Sequence, residues 1–360
     1  MRRLSLAALA ALAATLVALV VASSGGAGQS FTVGFIYVGP VGDSGWSFTH
    51  DKARIYLQKQ VPGVKTIKLE SVAEANVGPA IDQLVSQGAN MIFATSFGYG
   101  PGVIQKAKQY PDVKFMHATG FMRAPNVTTY YVNHWQASYL QGMLAGELTK
   151  SNILGYVGSF PISEIVRDVN AYTMGAQSVN PQAKVKVVLI NTWFDPPKEK
   201  QAARSLIDAG ADVLFGIEDS PSVLEEAAAH KGVLASTWNS NMVRFGPNAF
   251  ISANALDWGP YYVAQVKAAE NGSWKSQDYW GSLKDGSIGL APYGKSVPSK
   301  LRSEVNAKLS AFKKGTFNPF VGPVRDQSGT VRVPKGKQMS FGQIVGWDWY
   351  VQGVEGKLPK

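Results

Sequence analysis

The chain alternates two kinds of apolar pattern. Residues 31–38 (FTVGFIYV) form a short unbroken apolar run, as expected of a strand buried on both faces. Residues 46–60 (WSFTHDKARIYLQKQ) follow with amphipathic spacing that predicts a helix, ended by Val61, Pro62 and Gly63. The next strand is VKTIKLESV (64–72); Val77, Ile81, Leu84 and Val85 then recur at helical spacing with Pro79 in the first turn. ANMIFA (89–94) predicts a strand, GPGVIQKAKQY (100–110) a helix and VKFMHA (113–118) another strand. Strands alternating with helices of this length imply right-handed crossovers and a parallel sheet covered on both faces.

The pattern then restarts. Gly34-Phe35 in the first strand corresponds to Gly155-Tyr156 in ILGYVGSF, an offset of 121 residues, and Val72 corresponds to Trp193 at the same offset. LVSQGANMIF (84–93) is matched by LIDAGADVLF (206–215) at an offset of 122, and GVLASTW (232–238) follows as VKFMHA did. Each match is weak by itself, but four units in register predict two similar α/β lobes. NAFISANALDWGPYYVAQVKAAENG (248–272) reads as a strand and helix returning to the first lobe. SIGLAPYG and the helix of residues 299–315 then cross again, ahead of a hairpin around DQSGTVRV (326–333). The expected fold is α/β, two Rossmann-like lobes with parallel sheets joined by a multi-crossover hinge. Expected boundaries are 31–125 with 250–285 for lobe 1 and 126–249 with 286–360 for lobe 2.

Composition changes the picture at the N-terminus. Residues 1–22 place Arg2 and Arg3 before a run of apolar and small residues, followed by SSGGAG, which predicts a secretory signal peptide over 1–28. The expected location is therefore the periplasm. The chain has no cysteine, which excludes disulfides, thiolate chemistry, cysteine-ligated metals and a lipid anchor at an N-terminal cysteine. The net charge of +10, or +8 without Arg2 and Arg3, is spread singly along helices, so nucleic acid is not an expected partner. No G-x-S-x-G, H-E-x-x-H or phosphate loop occurs, and the four histidines have no metal-ligand spacing. No enzyme activity, catalytic residue, cofactor or metal is expected, although paired carboxylates leave a cleft hydrolase open.

In doubly wound sheets the ligand sits at the carboxyl ends of the strands. Those ends carry Asp43, Ser44, Trp46 and, one helical turn on, His50; then Ser96 and Phe97; then Phe160, Trp193, Phe194, Asp219, Ser220, Trp238, Asn239, Asp257 and Trp258. Aromatics interleaved with carboxylates, hydroxyls and amides suit a flat ring stacked on its faces and hydrogen-bonded at its edge. Each aromatic taken singly also suits lobe packing, and Asp43 or Ser44 also suits a helix N-cap.

GDSGW after the first strand, PNVTTYYVNHWQASYLQGMLAG, GAQSVNP, NTWFDPPKEKQAA, LIDAGADV, FGPNAFISA and WGPYY together resemble the basic membrane protein family, the purine-type substrate-binding proteins of ABC importers. The resemblance spans residues 31–355 and implies the type I periplasmic binding fold and a purine ligand. It implies that Trp46 stacks on the base. Nucleoside-binding members carry an acidic residue and a lysine where this chain has Thr119 and Ala255, so a nucleobase, adenine foremost, is the expected ligand. A nucleoside-binding relative, a receptor presenting its ligand to a sensor, and a hydrolase acting on nucleosides are the alternatives. The expected partner is an inner-membrane permease, and the protein is expected to be a monomer.

Overall fold

The computed structural model describes residues 30–42 and 44–358. The expected signal peptide and Asp43 lie outside the described residues. Five strands build the first sheet from the repeat pattern: β1 (Thr32–Ile36), β2 (Lys65–Leu69), β3 (Met91–Ala94), β4 (Lys114–Ala118) and β5 (Val127–Val132). β11 (Asp278–Gly281) joins β5 at the edge, giving the all-parallel order β2-β1-β3-β4-β5-β11. The second sheet contains β6 (Ile153–Gly158), β7 (Lys184–Leu189), β8 (Val213–Gly216), β9 (Leu234–Thr237) and β10 (Phe250–Leu256). Its order, β7-β6-β8-β9-β10, repeats that of the first sheet. β15 (Val354–Glu355) adds in parallel beside β7, and β12 (Ile288–Leu290) adds antiparallel beside β10.

Helices cover the sheets as the periodicity requires. In α2 (Val77–Ser86) Val77, Ile81 and Leu84 of the stripe read from the sequence are buried against the first sheet together with Ala80, while Val85 is only partly buried. α1 (Trp46–Gln60) packs on α8 (Gly259–Glu270), which returns to the first lobe. α4 (His134–Leu148) is buried on nearly every side; it packs on α5 (Ser163–Gln177), on β10 and on α9 (Ser299–Lys314). The expected hairpin is present as β13 (Val324–Arg325) and β14 (Val331–Val333).

Among the described residues the chain passes between the two sheets at Asn133, at Asp257–Trp258 and across 282–287, three connections that form the hinge. Two segments sit on the other side from the sequence expectation. Residues 127–132 belong to the first sheet, because VTTYYV extends the parallel ladder from β4. Residues 250–256 belong to the second sheet, because FISANAL pairs with β9; only the following helix returns to the first lobe.

Candidate ligand-binding site

The cavity lies between the lobes at the carboxyl ends of β1, β3, β4, β6, β7, β8 and β9. Val38, Trp46, Ser96, Phe97 and Thr119 line it from the first lobe; Glu164, Trp193, Ile217, Asp219 and Trp238 line it from the second. About 430 Å³ of space lies between them, part of it open to solvent.

Trp46 opens α1, and its ring is fixed by an Nε1–H bond to the carbonyl of Thr95 at 2.6 Å. The N-cap, Gly45, has no side chain to cap this helix; the Trp46 backbone N–H donates to Asp219 Oδ1 across the cleft at 3.2 Å. A carboxylate is well matched to a helix N-terminus, which carries unpaired N–H groups and positive partial charge. Asn239, held at φ 71°, donates its Nδ2–H to the same Asp219 oxygen at 2.9 Å. The Asp219 N–H donates to the Trp193 carbonyl at 3.0 Å, tying two strand ends of the second lobe together. The hydroxyl of Ser96 donates to Glu74 Oε1 at 2.7 Å, and the Gly98 N–H donates to the same oxygen at 3.1 Å. His117 Nε2–H donates to the Ser96 carbonyl at 2.8 Å, so this turn is held from both sides.

Six expected residues therefore line the cavity: Trp46, Ser96, Phe97, Trp193, Asp219 and Trp238. The other described ones surround it. His50 is fully buried behind Trp46, stacked on Trp258 with ring centroids 5.1 Å apart, and its Nδ1 pairs with the Tyr262 hydroxyl. Burial pushes the His50 imidazole well below its usual range, which keeps it neutral. Phe160 packs on Trp193 at 5.2 Å, and Phe194 is exposed. Ser220 donates to Glu199 and accepts from the Ser222 N–H, so it serves the start of α7 (Ser222–Ala229). Asp257 accepts from Gly259 N–H at 3.1 Å, and Ser44 contacts Ser240 and Arg244 of the second lobe.

Val38 and Ile217 had no sequence signal beyond strand position, because an apolar residue at a strand end looks like core. Thr119 sits at φ 57°, and Glu164 lies in the first turn of α5. Burial raises the Glu164 carboxyl above its usual range against the pull of Arg167. Beyond Phe97, Thr119 and Glu164 lies a wider recess of about 890 Å³, part of it open to solvent, lined also by Phe121, Tyr131, Arg167 and Trp280. Among the described residues, no group of three His, Asp or Glu side chains converges as a metal site. No described helix is long and apolar enough to cross a membrane.

Residues 31–326 match the family model of the PnrA-like ABC transporter substrate-binding proteins, called Bmp. The chain belongs to the Bmp family. Its members are substrate-binding proteins of ABC transporters, a family of solute binders. A purine-binding protein of Brucella abortus is 38% identical over 96% of this chain and 99% of its own length. A protein of Haloferax volcanii, described as a putative ABC transporter glucose-binding protein, is 32% identical over 92% of this chain and 82% of its own. A solute-binding protein structure from Aeropyrum pernix K1 aligns with TM-score 0.70 at 17% identity, covering 81% of this chain and 94% of the other. The Bmp chain thus has the type I periplasmic binding protein fold that the family resemblance implied.

Proposed function

We propose that this Bmp protein captures a purine nucleobase, adenine foremost, in the periplasm and delivers it to an inner-membrane permease. The observation that carries this reading is the cavity between the lobes, where tryptophans from both sides face carboxylates and hydroxyls. Trp46 and Trp193 sandwich the ring; Glu164 and Asp219 accept from an exocyclic amino group; Ser96 and Thr119 complete the edge. The purine-binding relative from Brucella abortus supports the ligand class. A ligand that touches both lobes has higher affinity for the closed form and shifts the population toward it, which is the shape a permease can recognise.

A purine nucleoside is the second reading, favoured by the wider recess beside the cavity, which has donors and acceptors in Arg167, Tyr131 and Glu164. Native mass spectrometry of the co-purified small molecule, followed by calorimetric titration with adenine, hypoxanthine, adenosine and glucose, separates these readings. Adenine binding at least tenfold tighter than adenosine supports the nucleobase; the reverse order supports the nucleoside. Binding of glucose with no purine affinity rejects both.

A further inference from the structure

The turn before α1 meets the second lobe outside the cavity. Ser240 Oγ donates to the Ser44 carbonyl, and Arg244 Nη2 donates to Ser44 Oγ at 3.0 Å. Gly45 lies so close to Asp219 that a Cβ at position 45 would stand 2.2 Å from the Asp219 carbonyl oxygen. That oxygen is backbone and cannot rotate away, so any side chain at position 45 must hold the lobes apart. Trp46 N–H, next in the chain, donates across the cleft to Asp219 Oδ1. Ser44, Gly45, Ser240 and Arg244 do not line the cavity. Arg244 is itself steadied by its guanidinium lying over the Phe245 ring, 4.6 Å from the centroid.

We propose that Ser44 and Gly45 form a latch with Asp219, Ser240 and Arg244 that sets how long the lobes stay closed, whichever ligand they hold. Arg244 is a positioning residue: through Ser44 it holds the turn that presents the Trp46 ring, without touching the ligand. Contacts that form only when the lobes meet raise the closed fraction, and apparent affinity scales with that fraction. Gly45 is the residue that permits the seam to close, and the Ser44 bonds set its lifetime. The inference rests on the reading of the protein as a closing two-lobe binder.

The chain has no cysteine, so a labelling pair can be introduced at Lys108→Cys and Gln201→Cys, exposed positions on opposite lobes. Single-molecule energy transfer between dyes at these sites gives the closed fraction and closed dwell time, with no added ligand and with saturating adenine. In this background Gly45→Ala should lower the closed fraction at least tenfold in either condition. Arg244→Ala should shorten the closed dwell roughly threefold to tenfold, the scale of one ordinary hydrogen bond, with an unchanged closing rate. A Gly45→Ala closed fraction equal to the parent's overturns the latch, as does an unchanged Arg244→Ala dwell time. Should Gly45→Ala fail a circular dichroism check of folding, the Arg244→Ala dwell time decides. If adenine leaves the parent's distribution unchanged, the nucleobase reading falls while the latch is still judged on the distributions without added ligand.

Discussion

Trp46 shows why a cleft aromatic is hard to read from sequence. Its side chain is only 9% exposed and belongs to the same apolar cluster as Phe35, Phe93 and Tyr262, yet it also lines the cavity. Trp46→Ala is expected to lower stability by about 3 kcal/mol or more, as large-to-small core changes do, besides abolishing binding. Trp193 is the cleaner probe, because it is only partly buried at the edge of the core, with its ring against Phe160. Trp193→Ala should weaken adenine binding roughly tenfold to a hundredfold, the scale of a lost aromatic contact with its area, and leave the melting temperature nearly unchanged. Titration calorimetry beside a thermal melt checks both halves.

Glu218 is a second residue-scale case. It is 1% exposed, and neither carboxyl oxygen has a hydrogen-bond partner. Burial first, then Glu199 and Asp219, pushes its carboxyl well above the usual range. The folded state therefore binds the proton more tightly than the unfolded chain, and stability falls as pH rises above the unfolded carboxyl value of about 4.5. Glu218→Gln should remove that loss. The variant should melt at a higher temperature than the parent at pH 7, with a gain on the order of 1 kcal/mol for each unit of pKa elevation covered. Near pH 4 the difference should vanish, and melts from pH 4 to pH 8 measure it.

At the scale of elements, two of the sequence motifs have a packing explanation. YLQGMLAG lies in α4 and GAQSVNP begins in α5; a Cβ at Gly142 would stand 2.0 Å from the Tyr172 carbonyl oxygen, and one at Gly175 would stand 2.0 Å from that of Tyr139. The two helices cross backbone to backbone, so Gly142→Ala should destabilise the protein by about 1 to 3 kcal/mol through overpacking, seen as a lower denaturant midpoint. Ligand affinity should fall less than stability, because neither glycine lines the cavity. The start of α1 carries the opposite lesson. Ser44 beside the helix start suggested a cap within the turn, but the Trp46 N–H donates to Asp219 Oδ1, 173 residues away. Asp219→Asn should weaken both that cap and ligand binding, since an amide brings less negative charge to the helix N-terminus.

For the whole molecule, the proposed closure of the two lobes is what would link fold to function. A ligand bound only by the folded, closed form should raise unfolding stability by about 2.7 kcal/mol at a hundred times its dissociation constant. A thermal-shift series with adenine, paired with small-angle scattering, should show a rise in melting temperature together with a smaller radius of gyration. A rise without compaction would count against closure around the ligand.

The duplicated strand and helix pattern was legible because it is local: alternation of buried strands and amphipathic helices, repeated at offsets of 121 and 122, dictates two sheets of the same order. The strand ends were legible as the rim of the cavity between the lobes for the same reason, and Trp46, Ser96, Phe97, Trp193, Asp219 and Trp238 line it. What the tertiary structure alone decided depends on which face a side chain takes and on pairing across distance. The sequence pattern puts VTTYYV with the second lobe and FISANAL with the first, and only their pairing with β4 and β9 reverses the two assignments. His50 and Trp258 look like cleft residues by spacing, but the fold turns them into each other, away from water. The meeting of Gly45 with Asp219 has no sequence signal at all, because a steric contact between two lobes exists only once both have folded and closed.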